Sequence, residues 1–306
     1  MIPPKSTEAT PRLRFEFGAN WARFLEVLSD ERIALAERSL STMLGASDLR
    51  GKRFLDIGSG SGLFSLAARR LGATVHSFDD DPQSAACTAE LKQRYCPEDT
   101  DWIVERASVL DKDYLEPLGE WDIVYSWGVL HHTGAMWQAL ENVTSLVRQG
   151  GMLFIAIYNH QRRMTAVWSR VKRAYNQLPK PLRWLVLGPA FARLWGPTML
   201  YDLFRGKPFF TWRHYAEHGV RGMSAWRDVV DWVGGYPFEA ATPEEIFRFC
   251  RDRGFALHEL VTCGGGLGCN QFVFERRCTA GARPAQNQSP DPTVRRDQSQ
   301  ETRRDC

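Results

Sequence analysis

The sequence predicts an α/β fold, a doubly wound parallel sheet carrying an inserted helical cap, and three observations predict it. Phe54-Leu55-Asp56-Ile57 is an apolar strand that runs into Gly58-Ser59-Gly60-Ser61-Gly62, and a helical apolar stripe begins at Leu63. Apolar runs of strand length then alternate with helix-length segments up to Tyr158-Asn159, which implies parallel strands joined by crossover helices. The alternation breaks over 160–236 and resumes from Thr242, so the sheet is interrupted by an insert and completed after it.

Each element has its own warrant. Residues 1–14 are polar with repeated prolines and are expected to be disordered. The stretch 19–44 reads as helix in two pieces. The second starts at Ser29-Asp30-Glu31 and carries Ile33, Leu35, Ala36, Leu40, Met43 and Leu44 as a stripe. Strands are expected at 53–57, 74–78, 102–105, 122–126 and 152–157, with helices at 62–71, 82–95 and 135–148. Asp81, before Pro82, reads as the cap of the 82–95 helix. Gly150-Gly151 reads as the stop of the 135–148 helix before the fifth strand. These elements make a core over 15–159. A structureless segment as long as 160–236 is implausible, so the insert is expected to be helices forming a cap. Thr242-Pro243-Glu244-Glu245 opens a helix with a capping box and proline in the first turn. That helix stops at Gly254, and strands near 256–262 and 271–276 complete the sheet within a unit spanning 237–277. Residues 278–306 are Arg, Gln, Pro, Asp and Ser with almost no large apolar residues, and are expected to be disordered.

Bulk properties narrow the function. The 306 residues have the composition of a globular protein, and a net charge of +3 is too small to imply nucleic acid by itself. None of the seven cysteines forms a Cys-x-x-Cys pair, so neither a zinc site nor a thioredoxin-like motif is indicated, and no metal is expected. A bridge between Cys263 and Cys269 is disfavoured in a reducing cytosol. The N-terminus lacks a basic stretch followed by an apolar core, and a cytoplasmic location is expected.

Glycines at 58, 60 and 62 let the backbone pass close to a ligand and present its amides. The dinucleotide spacing Gly-x-Gly-x-x-Gly fails, because its last position is Leu63. The pattern present is Asp56-x-Gly58-x-Gly60-x-Gly62, followed by the strand Ala73–Phe78 that ends in Asp79. This pattern resembles the S-adenosylmethionine loop of class I methyltransferases. The resemblance runs from about residue 15 to 277, and its core motifs are closest in style to the ubiquinone-pathway O-methyltransferases. It implies S-adenosylmethionine as cofactor and a seven-stranded sheet whose last strand is antiparallel. It assigns Asp56 to the loop and to the amino-acid end of the cofactor, Gly58, Gly60 and Gly62 to the turn, and Asp79 to the ribose hydroxyls. Ser108 and Val109 fall at the adenine, although many relatives carry an acid where this chain has Ser108. Ser126 and Trp127, at the carboxyl end of the fourth strand, fall along the cofactor. The Asn/Asp-Pro-Pro-Tyr signature is absent there, which argues against methylation of adenine or glutamine amides.

The acceptor side is read from residue chemistry. His131 and His132 follow the fourth strand and are candidates for acceptor contact or for the general base, His132 slightly preferred. Tyr158 and Asn159 end the fifth strand and are candidates to shape the pocket. Tyr236, His214, His218, Tyr215 and Arg221 are further candidates. The insert is basic and rich in tryptophan, which leaves three readings: a lid whose aromatics are its own core, a peripheral membrane contact, or an RNA surface. The apolar run 184–204 contains Arg193, Asp202 and two Gly-Pro pairs, which excludes a membrane span. The leading expectation is methyl transfer to oxygen or sulfur of a small, apolar acceptor, a phenol or quinone precursor or a small thiol. RNA methylation and a cofactor-binding protein without catalysis are the alternatives, nucleic acid being the less favoured partner.

Overall fold

In the computed structural model, residues 15, 17–215 and 225–278 are described. The expectations for 1–14 and for the tail beyond 278 lie outside the described residues. The strands are β1 (Arg53–Ile57), β2 (Thr74–Asp79), β3 (Trp102–Arg106), β4 (Trp121–Trp127), β5 (Val147–Tyr158), β6 (Phe255–Val261) and β7 (Cys269–Arg276). The helices are α1 (Gly18–Leu25), α2 (Asp30–Leu44), α3 (Leu63–Arg70), α4 (Pro82–Tyr95), α5 (Lys112–Leu115), α6 (Met136–Ser145), α7 (Arg163–Gln177), α8 (Trp184–Phe204), α9 (Phe210–Arg213), α10 (Ala225–Gly234) and α11 (Pro243–Arg251).

The strands form one sheet in the order β3-β2-β1-β4-β5-β7-β6. β1 to β5 run parallel, and β7 lies antiparallel between β5 and β6. Strand order reverses between β1 and β4, which opens a crevice at their carboxyl ends. β1 is buried from Phe54 to Ile57, and apolar there except for Asp56, because helices cover both faces of the sheet. One face packs Leu55, Val124, Leu140 and Ile155 together, and the other packs Phe54, Leu66, Trp102 and Phe154 with α2, α3 and α4.

Two helix starts follow the capping chemistry of the sequence. Asp81 accepts from the Gln83 amide and Pro82 opens α4. Thr242 accepts from the Glu245 amide while the Glu245 carboxylate accepts from the Thr242 amide. One expectation fails. Gly150-Gly151 do not stop the preceding helix, which ends at Ser145. They lie inside β5, where Trp121 pairs with Val147 and Ile123 with Met152, so extra residues bulge from the ladder. Gly150 sits at φ 69°, and a Cβ on Gly151 would lie 2.9 Å from the Arg148 carbonyl oxygen, so both glycines serve the bulge.

Within the insert, the described residues form α7 to α10. Trp168, Tyr175, Trp195, Val229 and Val233 are buried among them. α8 exposes Trp184, Leu200, Leu203 and Phe204. Exposure alone does not support a lipid contact, because an apolar face suits many partners. No helix among the described residues is long and apolar enough to cross a membrane.

Candidate functional site

A cleft of about 270 Å³ opens at the carboxyl ends of β1 and β2. Ile57, Phe78, Val109 and Val129 give it apolar walls, and Gly58, Asp79 and Ser108 line it as well. The turn leaving β1 makes this space. Gly58, Gly60 and Gly62 take φ of 77°, 58° and 78°, the left-handed region that side chains disfavour. A Cβ on Gly58 would come within 2.4 Å of Val129, and one on Gly60 would touch the Trp21 ring at 3.0 Å.

The turn is held from several sides. The Gly58 amide donates to the Phe78 carbonyl (2.8 Å). Asp79 accepts from the Gly60 amide through Oδ2 (3.0 Å) and from the Asp81 amide through Oδ1 (2.9 Å). The carboxylate on the neighbouring strand therefore fixes the loop as well as lining the cleft. From α4, the Ser59 and Thr88 hydroxyls share a hydrogen bond (2.8 Å). The Gly18 amide donates to Asp81, which anchors the start of α1 beside the turn.

Asp56 does not line the cleft. Strand alternation turns it inward beneath α3, where it is 2% exposed and accepts from the Ser65 hydroxyl (2.5 Å). Ser65 in turn bonds Ser77, which accepts from the Trp102 indole. Burial pushes the Asp56 carboxyl up to about 7, with Ser65 opposing the rise and Asp79 adding to it. Ser126 and Trp127 also point elsewhere. The Ser126 hydroxyl donates to the Ile57 carbonyl (3.0 Å), and the Trp127 indole donates to Gln271 on β7 (3.1 Å). Ser108 and Val109 line the cleft, and Asn142 on α6 holds the Val109 carbonyl (2.8 Å).

On the acceptor side, His131 and His132 are buried in the turn after β4. His132 donates from Nδ1 to the Pro237 carbonyl (2.6 Å), so its Nε2 is the basic nitrogen of the neutral ring. A Cβ on Gly235 would lie 2.8 Å from His132 Cε1. His131 accepts at Nδ1 from the Tyr158 amide (3.3 Å), and the Tyr158 ring packs on it at 3.9 Å. Asn159 binds Gly266 and Asn270, and lines a second cavity. Tyr236 accepts from Arg173 (3.1 Å), Tyr215 donates to Asp228 (2.5 Å), and His214 donates to the Phe210 carbonyl (2.8 Å). None of these three lines the cleft or the second cavity. Arg221 and His218 lie outside the described residues. Among the described residues no group of His, Cys, Asp and Glu is placed to hold a metal ion.

Sequence reasoning missed Lys172 on α7. It is wholly buried, donates to the Trp232 carbonyl, and sits 4.3 Å, 4.7 Å and 5.5 Å from the ring centroids of Trp232, Phe238 and Tyr158. Burial lowers its pKa to about 7, against an opposing pull from Asp231 and Cys269. The signal was present, because Trp168, Lys172 and Tyr175 share one helical face.

A glycine turn held by a carboxylate on the adjacent strand, at the crevice of a doubly wound sheet, defines a nucleoside-binding α/β protein. The order with β7 reversed between β5 and β6 is that of the class I, S-adenosylmethionine-dependent methyltransferases. The methyltransferase-domain family matches residues 27–195, more than half of the chain, and the chain belongs to that family. The ubiquinone biosynthesis O-methyltransferase of Rhizobium etli is 31% identical over 141 residues, 46% of this chain and 52% of that protein. The ribosomal protein L11 methyltransferase of Xanthomonas axonopodis pv. citri is 44% identical over 62 residues, 20% of each chain. The chain thus spans about half, or less, of the length of these curated relatives. The structure of magnesium protoporphyrin IX methyltransferase from Synechocystis PCC 6803 with bound SAH aligns over 84% of this chain and 94% of that one, at 13% identity and a TM-score of 0.49.

Proposed function

We propose that the protein transfers the methyl group of S-adenosylmethionine to oxygen or sulfur of a small acceptor with an apolar body. The observation that carries this reading is the cleft at β1 and β2, with its left-handed glycine turn and the Asp79 carboxylate at its rim. The residues fit a nucleoside. The missing Cβ of Gly58 leaves the cleft open, apolar side chains suit a base, and Asp79 and Ser108 suit hydroxyl and amino groups. Gly58, Gly60, Asp79, Ser108 and Val109 would hold the cofactor, and Asp56 would act only from behind the turn, through Ser65 on α3.

When bound, S-adenosylmethionine would supply an activated methyl for in-line displacement by the acceptor, with the neutral thioether as leaving group. The chain must then align the acceptor, exclude water and take one proton. His132 is the proposed proton acceptor, with Pro237 fixing its tautomer and orientation. His131 is the proposed positioning residue, joining the turn to β5 through the Tyr158 amide. Calorimetry with S-adenosylmethionine and S-adenosylhomocysteine tests cofactor use, and absence of affinity for both overturns the reading. Labelled cofactor with panels of phenols, thiols and RNA tests the acceptor, and label found only in RNA overturns the small-molecule assignment. Full single-turnover rates in both His132→Ala and His131→Ala place the base elsewhere.

A further inference from the structure

A second cavity of about 680 Å³ lies on the same edge of the sheet, at the end of β5 and beside the loop that enters β7. From the tip of β1 it is displaced by about two strand spacings, ~10 Å. Its floor includes Trp168, which is buried and backed by Trp232 (5.6 Å between ring centroids). Arg162 and Arg193 come to it from the start of α7 and from α8. No Asp or Glu lines the cavity, and among the described residues neither arginine has a carboxylate within 4.0 Å. Arg69 and Arg253, by contrast, are paired with Asp99 and Glu141.

The backbone around it is built for an opening. Arg162 takes φ 49°, a strained value for a residue with a side chain. The glycine-rich loop contributes Gly265 and Gly266, and a Cβ on Gly265 would meet nothing within 4 Å. That loop is tied down by Asn159, which donates to the Gly266 carbonyl (3.3 Å), and by Gln161, which donates to the Gly265 carbonyl (3.2 Å).

We propose that this cavity binds the anionic end of the methyl acceptor. Arg162 and Arg193 grip a carboxylate or phosphate, and the apolar body lies on Trp168 toward the tip of β4. Guanidinium groups suit both anions through paired N–H donors, and two uncompensated cations in a concave site concentrate anions from solution. The inference rests on the methyltransferase reading for its occupant, and on the cavity alone for its charge preference.

Calorimetry on the full chain, with and without saturating S-adenosylhomocysteine, tests it with 2-naphthoate, 2-naphthyl phosphate and neutral 2-naphthalenemethanol as probes. At least one anion should bind about ten-fold more tightly than the neutral probe, and the preferred anion separates carboxylate from phosphate. Arg193→Ala and Arg162→Gly, the second of which tolerates φ 49°, should each erase that preference while leaving S-adenosylhomocysteine affinity unchanged and without lowering the melting temperature. Equal binding of neutral and anionic probes, or a preference that survives both substitutions, overturns the proposal. Failure to bind S-adenosylhomocysteine sinks the cofactor reading instead and leaves the anion test standing.

Discussion

Replacing Lys172 by Met asks whether a buried cation fastens the cap to the sheet. The lysine is wholly buried, and its pKa is lowered from 10.5 to about 7, chiefly by burial. Between those values the unfolded chain holds a proton that the folded chain has shed, so stability rises with pH across the window and flattens below about 7. The slope approaches ~1.4 kcal/mol per pH unit where the folded lysine is neutral and the unfolded one charged. From pH 7 to pH 9 the gain comes to about 2 kcal/mol, because the folded lysine is already half deprotonated at the lower end. Met fills a similar volume with no titrating group. Urea denaturation of wild type and Lys172→Met at pH 7, 8 and 9 measures the effect, and the difference between the two cancels the titrating groups that are not coupled to Lys172. Wild type should gain about 2 kcal/mol on the variant between pH 7 and 9. Parallel profiles would show that Lys172 titrates as in the unfolded chain, and the account of a desolvated lysine among Trp232, Phe238 and Tyr158 would fall.

Gly58→Ala places a methyl 2.4 Å from Val129 at φ 77°, and should lose at least ~1 kcal/mol of stability in denaturant along with most S-adenosylhomocysteine affinity. Wild-type affinity in that variant would remove the turn from the site. Asp79→Asn keeps one oxygen for the two amides of Gly60 and Asp81 and loses the charge, so cofactor affinity by calorimetry should drop about ten-fold or more. A change under about three-fold would count against Asp79 as a ligand group. Thr242→Ala removes the acceptor for the Glu245 amide and should lower stability by ~1 kcal/mol with cofactor affinity intact.

The sheet was legible because parallel strands covered on both faces are largely apolar, as the central β1 and β4 are. Asp81 and Thr242 were legible because capping is local chemistry. What escaped depends on parity or on distant partners. Asp56, Ser126 and Trp127 were placed rightly along their strands, yet alternation turns Asp56 to the face opposite Ile57, and partners distant in the chain take up Ser126 and Trp127. Asp56 turned to Ser65, Ser126 to the Ile57 carbonyl, and Trp127 across to β7. The bulge at Gly150-Gly151 escaped because Val143, Leu146 and Val147 continue an apolar spacing that a helix also satisfies, and only the pairing with β4 separates the two.

These escapes share a physical pattern that bears on specificity. The cleft proposed for the cofactor is built from a contiguous motif and its neighbour strand, so a short stretch encodes it. The proposed acceptor side draws on the ends of β4 and β5, the start of α7, α8 and the loop before β7, which lie far apart in the chain. The family match stops at residue 195, before β6, β7 and the glycine-rich loop. Tyr158 makes one continuous unit of these parts: its amide binds His131, and its ring stands beside Trp232, Phe238 and Lys172. A substitution that loosens the cap there should therefore change acceptor selectivity before it changes cofactor affinity. Lys172→Met provides the test, since its S-adenosylhomocysteine affinity should stay within about three-fold of wild type while its preference between anionic and neutral probes shifts. Equal losses at both sites would mean that cap and cleft act as one site, and that this division of labour is wrong.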